Sequence, residues 1–202
     1  MPKLCINVQF LPTCDSYKAK ENTYRILIAD DHAVARHGLM AALASVTDIE
    51  VCGEALTGLE AVRLATQLKP DLVILDLSLR ELNGVEVVRA IRTTLHETEV
   101  LVVSLHDSLD VVSIALRAGA RGYVTKSDSH EELISAVQSV RNQEPHVSTR
   151  LVAKMRGKTR RLLRRNASPD RTLTPERIES VLTLAEFSLE REVREMVRSP
   201  QQ

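Results

Sequence analysis

Five polar residues close four short strand-like runs in this chain. Ile26-Leu27-Ile28-Ala29 ends in Asp30-Asp31, Leu72-Val73-Ile74-Leu75 in Asp76, Val100-Leu101-Val102-Val103 in Ser104, and Gly122-Tyr123-Val124-Thr125 in Lys126. Brought together, three carboxylates repel one another unless a cation neutralises them. The matching cation is Mg2+, a hard ion held by one or two carboxylates, by water and by phosphate oxygens. A carboxylate can also act as a nucleophile and form an acyl phosphate. Phosphoryl transfer asks mainly for positioning and for neutralisation of charge on the equatorial oxygens. A divalent metal at Asp30, Asp31 and Asp76, the Lys126 ammonium and the Ser104 hydroxyl would supply both. Each residue alone has an ordinary alternative: Asp31 as a helix cap, Ser104 as a turn hydroxyl, Lys126 as a solvated strand end. Their joint occurrence at successive strand ends favours the chemical reading.

The elements that must position these groups can be read from periodicity. Helical spacing follows the first strand over about Ala33–Ser45, and a second strand covers Glu50–Ala55. Further helices are expected over Gly58–Leu68, Val85–Thr94, Leu109–Ala118 and Glu131–Arg141, with Lys69-Pro70-Asp71 closing the first of them. Five strand–helix alternations in roughly 120 residues imply an α/β fold, a doubly wound five-stranded parallel sheet with right-handed crossovers. Ligands of such sheets sit at the carboxyl ends of the strands, where the five polar residues fall. The core composition agrees: 44% of residues are apolar but only 2% aromatic, as in strands of Val, Ile and Leu buried on both faces.

The residues from Tyr24 to His32, the Leu72–Leu77 run, Val102-Val103-Ser104, and Gly119-Ala120-Arg121-Gly122-Tyr123-Val124-Thr125-Lys126 together resemble the receiver domain of two-component response regulators. The Ala29-Asp30-Asp31-His32 opening and the Gly119–Lys126 segment resemble the NarL/FixJ subfamily in particular. The resemblance covers about residues 24–145 and implies a flavodoxin-like receiver fold. It implies Asp76 as phosphoacceptor, Asp30 and Asp31 as the metal-binding acidic pair, and Lys126 as the lysine contacting phosphoryl oxygens. It also implies Ser104 and Tyr123 as a hydroxyl–aromatic switch, Mg2+ as cofactor and a sensor histidine kinase as partner. The ordinary alternative for Tyr123 is an edge-strand aromatic half buried on the sheet. Two departures stand out: Leu79-Arg80 replaces the usual Met-Pro after the phosphoacceptor, and Ser127 replaces the proline that often follows the lysine. In that loop Gly84 is expected to supply a permissive backbone.

Outside residues 24–145 the chain reads differently. Residues 1–23 show no sustained periodicity and are expected to form a flexible leader. Residues 146–170 form a basic linker or helix, in which Arg150, Lys154, Arg156, Lys158, Arg160, Arg161, Arg164 and Arg165 stand without an acid among them. The ordinary reading is a solvated helix; the functional one is sequence-independent contact with phosphate backbones. Residues 171–202 carry an apolar stripe at helical spacing, and Leu173-Thr174-Pro175 resembles the opening of a LuxR-type DNA-binding domain. Only 30 residues run from Leu173 to Gln202, too few for a first helix, a turn and a recognition helix. That resemblance therefore implies an incomplete module, and output through the switched surface as a homodimer or with a partner. A NarL/FixJ-type transcription regulator reaching DNA through the basic run is the alternative. Three cysteines without metal-ligand spacing, Cys5, Cys14 and Cys52, are expected as free thiols. No apolar run approaches the length of a membrane span and no signal sequence is evident, so a cytoplasmic protein is expected. No cofactor-binding Gly-rich loop follows any strand, so it is expected to be a signalling receiver rather than an enzyme.

Overall fold

The computed structural model describes residues 23–166. The expected leader (all but residue 23) and the helical tail over 171–202 lie outside the described residues, as do Cys5 and Cys14. The chain runs β1 (Tyr24–Ala29), α1 (Ala33–Leu43), β2 (Ile49–Ala55), α2 (Gly58–Leu68), β3 (Leu72–Leu75), α3 (Gly84–Thr94), β4 (Glu99–Ser104), α4 (Leu109–Arg117), β5 (Gly122–Thr125), α5 (His130–Arg141), β6 (His146–Val147) and α6 (Thr149–Asn166). The strands form one sheet in the order β2-β1-β3-β4-β5-β6, and every neighbouring pair is parallel. The doubly wound sheet is as expected, but it has six strands rather than five. His146–Val147 extends the edge because Gly122 on β5 lets it approach: a Cβ there would lie 2.9 Å from the His146 carbonyl oxygen.

Side chains of successive strand residues point to opposite faces, and the core divides accordingly. Leu27, Ala29, Val73, Leu75, Val100 and Val102 pack against α2, α3 and α4 on one face. Ile26, Ile28, Leu72, Ile74, Leu101 and Val103 pack against α1 and α5 on the other. The middles of the central strands, residues 26–29, 72–75 and 100–103, are therefore apolar in every residue, and polarity returns at the strand ends. Helix starts are fixed by local chemistry: Thr57, Asn83 and Ser129 each accept a backbone N–H from Glu60, Glu86 and Glu132 respectively, satisfying a donor the helix cannot use. The packed unit runs past residue 145, since Leu151 on α6 is fully buried in the core of the α2–α4 face.

Gly84 is required for a different reason from the one its loop suggested. Its φ is not positive; the left-handed residue of that loop is Glu81, at φ 68°. A Cβ on Gly84 would instead lie 2.5 Å from Leu77 Cα and 2.8 Å from the Asp76 carbonyl oxygen. Close packing of the α3 start under Asp76 excludes any side chain. Leu79, the first residue of the Leu79-Arg80 pair that replaces the expected Met-Pro, is buried and anchors the loop by burial.

Candidate functional site

The ends of β1, β3, β4 and β5 bring Asp30, Asp31, Asp76, Ser104 and Lys126 to one rim of the sheet, as parallel register requires. Asp30 and Asp76 are almost completely buried, at 1% and 3% exposure, and Ser104 is fully buried. The Lys126 Nζ donates to Asp76 Oδ2 at 2.8 Å and stands 2.7 Å from Asp30 Oδ2. Burial alone would lower the pKa of this ammonium, but the two carboxylates outweigh it and hold the value above the ordinary one. Asp30 Oδ1 accepts the His32 backbone N–H at 2.9 Å. The backbone N–H of Asp76 donates to the Ala29 carbonyl at 2.8 Å, which locks the end of β3 beside that of β1.

Three buried carboxylate oxygens of the site, Asp30 Oδ2, Asp31 Oδ1 and Asp76 Oδ1, accept no hydrogen bond from the described residues. The first two each lie 2.7 Å from a cationic or ionisable nitrogen, Lys126 Nζ and His32 Nδ1, whereas Asp76 Oδ1 has no such neighbour. A buried carboxylate oxygen without a partner loses its hydration uncompensated, a cost that a bound cation or phosphoryl group would offset. Ligand atoms of Asp30, Asp31, His32 and Asp76 all lie within 4.8 Å of one another. The carboxylates expected to hold the metal are thus gathered, their oxygens suit a hard cation, and the bare Asp76 Oδ1 leaves a lone pair open beside them.

His32 was not singled out among the candidate residues. Its exposed ring places Nδ1 2.7 Å from Asp31 Oδ1, and the signal was its position directly after the acidic pair. Arg80, flagged only as a departure, lies at the mouth with Nε 3.8 Å from Asp31 Oδ2. Sequence could not reveal His106: its backbone N–H donates to Ser104 Oγ at 3.4 Å, and its carbonyl accepts the Tyr123 hydroxyl at 2.7 Å.

Tyr123 is fully buried on β5, a strand flanked by β4 and β6. The half-buried edge position is therefore corrected: the ring is turned into the fold. Burial pushes its phenol up to about 12, against a smaller opposing effect of the Ser104 hydroxyl. Ser127, standing where a proline was expected, shares a hydrogen bond with Thr125 Oγ1 at 3.0 Å and accepts one from Arg150 at 2.7 Å, so the hydroxyl ties the β5–α5 loop to α6. Cys52 is a half-buried free thiol whose pKa burial raises. No helix among the described residues is long and apolar enough to cross a membrane.

Comparison with known proteins agrees with this fold. The family described as the response regulator receiver domain matches residues 26–138. The transcriptional regulatory protein LiaR of Bacillus subtilis is 33% identical over 171 residues, covering 85% of this chain and 81% of the relative. The response regulator protein VraR of Staphylococcus aureus is 32% identical over 163 residues, covering 81% and 76%. A crystal structure of a LuxR-family two-component response regulator from an Aurantimonas species is 31% identical with a TM-score of 0.65, covering 68% of this chain and 98% of that one.

Proposed function

This chain belongs to the response regulator receiver family of two-component systems, and from that premise we propose that Asp76 accepts a phosphoryl group from the phosphohistidine of a sensor kinase. The observation that carries the assignment is the Asp76 carboxylate itself, with one oxygen fixed by Lys126 and the other buried and free. The free Oδ1 attacks phosphorus, an O–P bond forms, the donor P–N bond breaks, and its electron pair returns to the leaving imidazole. Lys126 stays beside the reacting carboxylate and balances charge on the phosphoryl oxygens. Asp30, Asp31 and Asp76 would hold Mg2+, which supplies further neutralisation of the transferring group. Ser104 donates its hydroxyl to a phosphoryl oxygen. The added dianion then biases the segment that joins Ser104 to the Tyr123 hydroxyl through His106, a local charge change read out by packing. We place the protein in the cytoplasm, where such kinases present their phosphohistidine.

Incubation with acetyl phosphate and Mg2+ should add one phosphoryl group to the intact mass. If Asp76→Ala still shows that mass increase, the acceptor has been misassigned.

A second reading concerns output. The relative from Bacillus subtilis is named a transcriptional regulatory protein, and α6 carries the uninterrupted basic run. Contact between this helix and DNA phosphates, without base readout, is the output those two observations favour. Homodimerisation of the phosphorylated chain would place two such helices on one duplex.

A further inference from the structure

The first turns of α6 are held against the receiver. Leu151 is fully buried, the Thr149 backbone N–H donates to Glu132 Oε1 at 3.0 Å, and Arg150 donates to Ser127 Oγ. One turn on, the Lys154 Nζ donates to the Asp107 carbonyl at 2.7 Å and lies 2.9 Å from Asp107 Oδ2. Another turn on, the Lys158 Nζ lies 3.8 Å from Asp110 Oδ1. Leu151, Lys154 and Lys158 follow i, i+3, i+7 spacing and so share one stripe of the helix, which faces the acidic stretch from the β4–α4 loop into the first turn of α4.

We propose that Asp107 and Asp110 compete with a nucleic-acid phosphate backbone for Lys154 and Lys158, so that the receiver masks part of the cationic surface of α6. The inference deepens the second reading above by naming the groups that regulate it. Both pairs are largely exposed, with side-chain exposures of 45% and 48% for Lys154 and Asp107, and 60% and 86% for Lys158 and Asp110. Exposed pairs are shallow and a dense row of phosphates can displace them. The lysine lies close enough to act on its partner: its hydrogen bond holds the Asp107 carboxyl below the usual carboxylate range.

The masking segment is tied to the switch residues. Asp107 directly follows His106, which receives the Tyr123 hydroxyl on its carbonyl and donates its N–H to Ser104. A shift of Ser104 toward a phosphoryl group therefore pulls on the segment that grips Lys154. A nucleic acid rather than a lipid surface is the partner because of where the described apolar side chains in the first turns of α6 go. Leu151 is consumed in the core, and Val152 and Met155 are partly covered. Insertion into a bilayer needs a free apolar face, whereas phosphate contact needs only the cations.

The test uses the full chain and a labelled random-sequence duplex at low salt, read by fluorescence anisotropy. The double substitution Asp107→Asn/Asp110→Asn, at two exposed positions outside the phosphorylation site, should tighten binding about two- to tenfold. In that background Lys154→Ala/Lys158→Ala should weaken binding and flatten its salt dependence by about two phosphate contacts. Binding no tighter in the amide variant than in the unaltered chain overturns the proposal, as does absence of duplex binding by both. Preference of the amide variant for anionic-lipid vesicles over duplex overturns the choice of partner. In a separate arm, acetyl phosphate should bring the unaltered chain close to the affinity of the amide variant. A confirmed mass increase without tighter binding refutes the coupling. A missing mass increase refutes the phosphoacceptor reading instead, and leaves the amide comparison to decide the masking.

Discussion

Lys126→Met removes the one cation shared by two carboxylates that are 1% and 3% exposed. Methionine keeps the length of the stem and deletes the charge. Breaking a buried ion pair by removing one partner costs about 3–5 kcal/mol, because the other charge is left uncompensated. The site opens to water beside Asp31 and Arg80, which places this change at the lower end, about 3 kcal/mol. For a unit of this size each kcal/mol shifts the melting temperature by about 2–4 °C, so the loss should be roughly 6–12 °C without Mg2+. Since a metal can take over neutralisation of the same carboxylates, adding Mg2+ should narrow the gap. The pH dependence has a definite sign. The Lys126 pKa is raised above its ordinary 10.5 in the folded state, so its stabilisation is complete below 10.5 and is lost as pH rises through the folded value. The difference between variant and parent should therefore be largest near neutrality and shrink in strong alkali. Thermal unfolding followed by circular dichroism, with chelator and with Mg2+, measures it. A Lys126→Met protein as stable as its parent in chelator would refute the claim that this ammonium neutralises the buried pair.

Two further outcomes test other parts of the structure. The phenol of Tyr123 should titrate only at about 12, seen as the ultraviolet difference between the parent and Tyr123→Phe; a component lost near 10 would mean that the ring is not buried. Because that folded value lies above the unfolded one, the buried phenol should lower stability as pH rises from 10 toward 12. Leu151→Ala should cost about 2–5 kcal/mol in urea unfolding, since its side chain is fully buried in the core of the α2–α4 face. A loss no larger than that of an exposed alanine substitution would show that the receiver folds without α6.

The central fold was legible because a parallel sheet buried on both faces has a simple signature. Leu72–Leu75 and Val100–Val103 are apolar at every position, and the helices between them keep a clear 3.6-residue period, so the expected elements match those found to within a few residues. The grouping of Asp30, Asp31, Asp76, Ser104 and Lys126 followed from the same logic, because parallel strands present their carboxyl ends on one rim. What escaped has equally physical reasons. β6 is two residues long, below the length at which alternation means anything, and its place depends on the bare surface of Gly122. The link from Ser104 to Tyr123 runs through the backbone of His106, and backbone donors and acceptors leave no trace in side-chain identity. The attachment of α6 was hidden for another reason. Its charges suggested solvent, and only packing reveals that Leu151 is buried and that Lys154 faces Asp107.

Glu99 shows what separates a functional carboxylate from a structural one when burial does not. At 4% exposure it is about as buried as Asp76, and it sits at the opposite, amino-terminal end of the sheet. Both of its oxygens are engaged: Oε1 accepts from Arg121 at 2.8 Å, and Oε2 lies 3.2 Å from both Arg121 and Arg92. Two guanidiniums with fixed, planar donors engage both of its oxygens, and neither is left without a partner. An Arg141–Asp48 pair stands at the same end, with Arg141 lying over the Tyr24 ring. Asp76 is met instead by a single ammonium on a flexible stem, which Asp30 shares, and one of its oxygens stays bare. An arginine in place of Lys126 could engage both oxygens of Asp76 and close the site as Glu99 is closed. The lysine neutralises without saturating. On the proposed function, that shortfall, more than the presence of acids at strand ends, is what would make the carboxyl-terminal rim reactive, while the opposite rim holds the sheet together.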